Sequence, residues 1–570
     1  MGEDWLKAIS QPRYRVRAER DLRVTMRDGV KVAADLYLPD AEGRFPALLA
    51  MSPYGKYIHR PEAPLLPLSM ARGNGGQEAG DSEYFVSRGY VHVIADVRGS
   101  GDSEGEYCSY GMAEQQDGYD LIEWIACQPW CDGNVGMLGM SYFAVNQYLV
   151  AALNPPHLKA IFACEGYTDR YRHLVYHGGI LTLGFFLRWW PCISVGTTAP
   201  SCRHYYSEKE IEKRVEELKE SREVKDNPIL SVLLKHPEKN PLVFDYLLQP
   251  NDGPYYWERS AYNKLDKIKV PCYLGTRWSG WPIHLPGAFD AYRRINAPKK
   301  MLIFETESVY GPHRPWRDHH DLILRWYDHW LKGIDTGMME EPPIKILVKG
   351  SNQWRCEQEW PLARTQWTKL YLRGDAGLAQ ERPGKGEEPA SFVNQPSLRP
   401  SQAVPSLRYR TAPLEEEMEV TGPIALYLQA SLDTEDATWI VSINDVASDG
   451  TTRLVTRGWL RASHRALDPD RSLPYQPYHP HLEREPLKRG EVYEFAIEIR
   501  ETSYLFLSGH RMELEIRGQD SSWEDPMWFH LCNPETTRHT IYNDPQHVSY
   551  LLLPIIPKPS FHITEQDKTV

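Results

Sequence analysis

The stretch GMLGMSYFAVNQ, residues 136 to 147, carries an apolar, strand-like run into a helix-like one through Ser141. A serine at such a turn can be a nucleophile, because its hydroxyl stands above the sheet edge and the next backbone N–H, that of Tyr142, is free to receive an oxyanion. The chemistry is attack on an ester or amide, an acyl-enzyme, and hydrolysis by water. The spelling departs from G-x-S-x-G: Gly139 and Ser141 are in place, but Phe143 stands where the second glycine would be. Gly136, Gly139 and Ala144 can supply the clearance that strand and helix backbones need as they pass. A buried structural serine in a strand–helix unit is the competing reading. A nucleophilic serine also needs a histidine within hydrogen-bond reach and a carboxylate to hold that histidine's tautomer. Glu165 ends KAIFACEG, the strand-like run after the one carrying Ser141, so it emerges at the same carboxyl edge. A salt-bridge or substrate-binding carboxylate beneath a cap is the alternative for Glu165.

The elements that must position these residues follow from hydrophobic period. Residues 22 to 39 alternate about Asp28-Gly29, an edge hairpin. Short, nearly continuous apolar runs at 45–51, 90–96, 135–140, 159–166, 270–278 and 299–307 suit parallel strands buried on both faces. Helical patterns at 114–128 and 143–154 lie between them, which predicts a doubly wound α/β sheet. Residues 167–262 break the alternation with aromatic, mostly helical text and predict a helical cap inserted into an α/β domain made of 1–166 and 263–340. The charge run SEKEIEKRVEELKESREVK within it reads as a solvated helix face. From 341 to 570 the chain turns to alternating strands with turn residues between them, a β-sandwich or jelly roll.

Length and composition bound the rest. A chain of 570 residues is too long for one ordinary core, and a net charge of −12 argues against a nucleic-acid partner. The nine cysteines contain no C-x-x-C pair, so neither a zinc site nor a disulfide framework is indicated and a reduced, cytoplasmic location is expected. No stretch reaches membrane-spanning length, and the amino terminus has no apolar signal region.

The strings MRDGVKVAADLYLP, SPYGKY, ADVRGSGDSEGEY, WIACQPWCDGNVGMLGMSY and LSGHRMELEI together resemble the cocaine-esterase (CocE/NonD) and X-prolyl dipeptidyl peptidase-like α/β hydrolases, close to end to end. The resemblance implies an α/β-hydrolase domain, an inserted helical cap and a carboxy-terminal jelly roll. It implies that Ser141 is the nucleophile, in an elbow whose bulky and small residues match Phe143 and Ala144. It implies too that the Tyr54 hydroxyl, in SPYGK, joins the Tyr142 N–H in the oxyanion hole. Two positions depart from the family pattern. Its acid, in a G-W-x-D setting, corresponds to Ser279, and its histidine, in a G-P-W-x-H setting, corresponds without gaps to Val309. With both displaced, His313, in the nearby GPH, is the expected base and Glu165 the expected acid. Asp169, Glu305 and Glu307 stand behind Glu165, and His284, in WPIHLPGAF, is the second histidine. His319 and His320 read as helix-start or surface residues, and Asp96 with Arg98 as a charge-assisted pair ordering the loop near the elbow.

The leading expectation is therefore a serine esterase or amidase acting on a small apolar molecule, needing no cofactor, metal, nucleic acid or membrane; a homodimer is compatible with it. The altered partners keep two others open: a non-hydrolytic reaction on a carbonyl compound, such as acyl transfer, retro-aldol cleavage or cyclisation, and a ligand-binding pseudoenzyme. A dipeptidyl peptidase is disfavoured, since no added acidic site is evident to hold a free amine.

Overall fold

The Asp28-Gly29 turn, with Gly29 at φ 90°, joins strand β1 (Val16–Thr25) to the antiparallel β2 (Lys31–Pro39). The computed structural model describes residues 3–558 apart from 61–71, 74–75, 194, 197, 306–318, 397–402, 522–523 and 526. His313, Val309 and Glu307 lie outside the described residues. The apolar runs form β3 (Phe45–Ser52), β4 (Val91–Asp96), β5 (Cys131–Met140), β6 (Leu158–Cys164), β7 (Cys272–Arg277) and β8 (Lys299–Phe304). All six residues of β4 and of β7 are buried, as strands covered on both faces must be.

The first sheet has ten strands in the order β1-β2-β4-β3-β5-β6-β7-β8-β9-β10, parallel from β4 through β9. Its last two strands, β9 (Ile344–Val348) and β10 (Gln353–Glu357), lie beyond residue 340, where the sequence places the domain boundary. Short edge strands of a mixed sheet carry the same alternating pattern as a β domain, so their pattern alone does not assign them to either one. Helices α1 (Met112–Ala126) and α2 (Tyr142–Ala151) cover the sheet, and α2 buries all ten of its residues, so it has no polar face for water.

Between β6 and β7 the chain forms a hairpin at 176–181 and short helices, including Leu183–Trp189, Glu208–Glu220 and Pro241–Leu248. Glu208–Glu220 starts on a capping box from Ser207 and Glu210 and buries none of its residues, as its charge pattern predicts. Residues from Gln366 to Ile556 build an eleven-stranded antiparallel sheet that nearly closes on itself through a bridge between Gly377 and Arg410. No helix among the described residues is long and apolar enough to cross a membrane.

Helix α3 (Leu285–Arg294) packs so closely on the turn after β6 that a Cβ on Gly287 would overlap the Gly166 carbonyl oxygen and lie 2.7 Å from Tyr167 Cα. Two backbones in direct contact cannot yield as a flexible side chain can. Gly287→Ala should therefore destabilise the fold by about 1–3 kcal/mol and move His284, which precedes α3, away from Glu165. The expected result is earlier melting together with reduced activity; an unchanged melting curve would show that the two segments separate freely.

Candidate active site

Ser141 sits between β5 and α2 at φ 59° and ψ −112°. A non-glycine residue there costs about 1–3 kcal/mol and persists only where its surroundings fix it. Here the Ser141 N–H donates to the Cys164 carbonyl at 2.9 Å, and the Ala144 and Val145 N–H groups donate to the Ser141 carbonyl. Gly139, at φ 135°, leaves room for Phe143: a Cβ at Gly139 would collide with the Phe143 ring stem. The bulk at the second glycine position of the motif is thus accommodated by the first.

Glu165 repeats the arrangement one strand over. It follows β6 at φ 56°, and its N–H donates to the Gly275 carbonyl of β7 at 2.7 Å. Because Met140 pairs with Cys164 and Cys164 with Gly275, Ser141 and Glu165 emerge side by side at the carboxyl edge. Arg277, the last residue of β7, grips the Glu165 carboxylate, with Nε 2.6 Å from Oε1 and Nη2 3.1 Å from Oε2. The chain then turns through Trp278–Gly280, and the His284 N–H donates to the Gly280 carbonyl at 2.8 Å. His284 Nε2 lies 3.2 Å from Ser141 Oγ, and its Nδ1 is 3.5 Å from Glu165 Oε2. The described residues thus bring together a serine, an imidazole and a carboxylate in the order that nucleophilic catalysis requires.

Burial lowers the His284 pKa to about 4; the nearby Glu165 charge opposes that shift and Arg277 adds to it. The imidazole is therefore neutral at neutral pH and can accept a proton. On the opposite side, Trp189 Nε1 donates to the Tyr54 hydroxyl at 3.2 Å, and the same hydroxyl bonds with Ser141. An indole only donates, so the phenol keeps its own proton to give. Burial, helped by the charge of Glu78, raises the Tyr54 pKa and keeps the phenol protonated. Tyr142, the first residue of α2, has no intrahelical acceptor for its N–H. Its ring stacks on Tyr110 at 3.9 Å, and its hydroxyl donates to Glu114 at 2.9 Å. Glu114 is wholly buried, and desolvation raises its pKa to about 7. Ser141, His284 and Tyr54 face a cavity of about 320 Å³ whose apolar wall is Leu174, Phe185, Phe186, Trp189 and Ile283.

Several expectations change. Among the described residues the histidine at Ser141 is His284, the second choice from sequence; the first choice, His313, lies outside them. Ser279 Oγ is buried without a hydrogen bond among the described residues, and so takes no part in the serine–imidazole–carboxylate contacts. Asp169 pairs with Arg172 at 2.9 Å. His320 opens the helix α4 (His320–Lys332) and stacks on Tyr84, and the His319 ring lies against Phe304. Asp96 and Arg98 do not pair with each other. Asp96 accepts the Lys56 and Asp102 backbone N–H groups, whereas Arg98 holds Asp117 with two bonds of 2.6 Å and Asp28 at 3.0 Å. Both still order the loops beside the elbow, but through different partners.

The strand order and the strained serine turn define an α/β hydrolase. Sequence comparison places it further: the X-Pro dipeptidyl-peptidase (S15 family) model matches residues 28–310, and the X-Pro dipeptidyl-peptidase C-terminal non-catalytic domain matches 336–552. A cocaine esterase from a Rhodococcus species is 27% identical over 94% of this chain and 98% of its own. A relative in Mycobacterium bovis, named provisionally as a serine esterase, is 29% identical over 97% and 98%. The CocE/NonD family hydrolase of Staphylococcus aureus superposes with a TM-score of 0.75 at 24% identity, over 95% of this chain and 94% of that one, a likeness of fold. The chain belongs to the CocE/NonD and X-prolyl dipeptidyl peptidase-like family of serine hydrolases.

The lowered pKa of His284 has a measurable consequence. A free histidine titrates near pH 6.5, so a base of that kind would lose activity below about pH 6.5. With the His284 pKa lowered to about 4, kcat/KM should hold on acidification until the pH approaches that value. Removing Arg277 takes away a charge that lowers this pKa and leaves Glu165 unopposed, so Arg277→Met should move the acid limb to higher pH. A wild-type limb near 6.5, or one that does not move in the variant, would contradict this electrostatic account.

Proposed function

We propose that the protein hydrolyses an ester or amide of a small molecule through an acyl-enzyme on Ser141. His284 is the general base, Glu165 orients it, and the Tyr54 hydroxyl and Tyr142 N–H receive the oxyanion. The observation that carries this reading is the 3.2 Å approach of His284 Nε2 to a serine held at positive φ. His284 removes the Ser141 proton as Oγ attacks the carbonyl carbon, then returns it to the leaving group; water repeats the cycle on the acyl-enzyme. The family membership supports the reaction class, and the aromatic wall supports a substrate with an apolar body. No acidic side chain lines the cavity among the described residues, and the buried Arg170 does. That weighs against a peptidase that holds a free amino terminus.

A fluorophosphonate should label Ser141, and Ser141→Ala should abolish both labelling and ester turnover while the protein stays folded. Turnover that survives in Ser141→Ala would remove the nucleophile. His284→Ala should cost nearly as much, because members of such a unit are not additive, with His313→Ala as its control. If the larger loss followed His313→Ala, the base would return to the loop after β8. Tyr54→Phe should lower kcat roughly ten- to a thousandfold with a smaller change in KM, since the phenol acts on the developing oxyanion. An unchanged kcat would leave Tyr54 a packing residue.

A further inference from the structure

The cavity also carries a charge that the proposed reaction does not use. Arg170 lines the same cavity as Ser141 and is 1% exposed. An arginine remains charged in any protein environment, and a buried charge is normally paired. Arg170 is not: among the described residues no carboxylate makes a salt bridge with it. Its partners are neutral hydroxyls. Nη1 donates to Tyr167 at 2.9 Å, and Nη2 donates to Ser109 at 2.9 Å and to Tyr246 at 2.5 Å. The guanidinium also lies 5.3 Å from the centre of the Tyr110 ring. Three of its five donor hydrogens are thereby engaged, while Nε is buried without an acceptor.

Each hydroxyl that accepts from Arg170 keeps its own hydrogen to donate. Tyr167 is one of these, and it lines the cavity beside Tyr110. The cavity lining thus includes a buried cation with unused donor capacity, next to the Tyr167 hydroxyl, which can donate. Such a set lacks an acceptor with negative charge.

We propose that Arg170 determines specificity by receiving a carboxylate carried by the substrate, so that the enzyme prefers small esters or amides that bear an acid group in addition to the reacting carbonyl. This rests on Ser141 being the reacting residue and adds the substrate class. The carboxylate replaces the missing counter-ion, accepts from Arg170 and Tyr167, and leaves the apolar body against Phe185, Phe186 and Trp189. The surrounding wall of Leu174, Phe185, Phe186, Trp189 and Ile283 favours a short chain between the acid and the reacting carbonyl.

The test compares mono-aryl glutarate, which has its acid on the acyl side, with aryl butyrate, and 4-carboxyphenyl butyrate, which has it on the alcohol side, with phenyl butyrate. One acidic ester should exceed its neutral counterpart in kcat/KM by about ten- to a hundredfold, the scale of a hydrogen bond to a charged group, and that arm locates the carboxylate. Arg170→Gln should collapse the ratio and Arg170→Lys should keep part of it. If neither acidic ester is preferred by the wild-type protein, the proposal falls whatever the variants do. Glutarate titrated into Ser141→Ala, followed by tryptophan fluorescence, measures the anion site without turnover. Binding there with no hydrolysis of any ester would overturn the hydrolase reading and keep the anion site. Hydrolysis with neither preference nor glutarate binding would do the reverse.

Discussion

The site depends on the backbone hydrogen bonds that extend the parallel ladder one residue past the strand ends. Ser141 N–H to Cys164 O, and Glu165 N–H to Gly275 O, each bind a residue in the left-handed region to the neighbouring strand. Neither residue would hold that conformation alone, because a side chain at positive φ is strained. Together they form a staircase across β5, β6 and β7, in which each turn is fixed by the strand beside it. The serine and the acid therefore hold their spacing by sheet register and not by side-chain packing, and His284 has only to fold back from the third strand to meet both.

That arrangement also bears on the two positions that depart from the family pattern, Ser279 and Val309. An acid after β7 leaves the space above the serine to a histidine arriving from β8. Here the end of β7 is taken by Arg277, whose guanidinium reaches back to Glu165 at 2.6 Å, and the loop after it delivers the histidine. Glu165 is held more closely by Arg277 than by His284, at 3.5 Å from Nδ1. The arginine fixes the carboxylate and dilutes its field at the imidazole. Burial is the main cause of the low His284 pKa, and the Arg277 charge adds to it.

Much of this was legible from sequence. Buried parallel strands are continuous apolar runs, so the ends of β5 and β6 could be located, and with them Ser141 and Glu165. The cap's solvated helix at Glu208–Glu220 was legible from charge alone. The histidine seen beside Ser141, His284, was only the second choice, because spacing ranks loops by length and not by direction: the fold-back at Trp278–Gly280 brings it to the serine, while His313 lies outside the described residues. Arg277 and Arg170 were less legible still. Each is a single charge whose meaning lies in its partners, Glu165 in one case and, among the described residues, no salt-bridging carboxylate in the other, and neither leaves a pattern along the chain.

The carboxy-terminal sheet contributes to the site without reaching it. Phe185, in the cavity wall, stacks on Trp528 with ring centres 5.1 Å apart and planes 7° from parallel. Gly184 N–H donates to the Phe529 carbonyl at 3.0 Å, and Leu531 N–H to the Leu181 carbonyl at 2.8 Å, so two backbone bonds and a stacked pair tie the inserted segment to the second sheet. Gly184 permits this approach, since a Cβ there would lie 2.6 Å from the Phe529 ring. An aromatic wall clamped from behind cannot easily retreat to admit a larger group, because close-packed interiors deform little. Cavity size is thereby set at the contact between the inserted segment and the second sheet, while reactivity is set at the edge of the first. Substitutions near Trp528 can then alter which molecules fit the cavity without touching Ser141, His284 or Glu165.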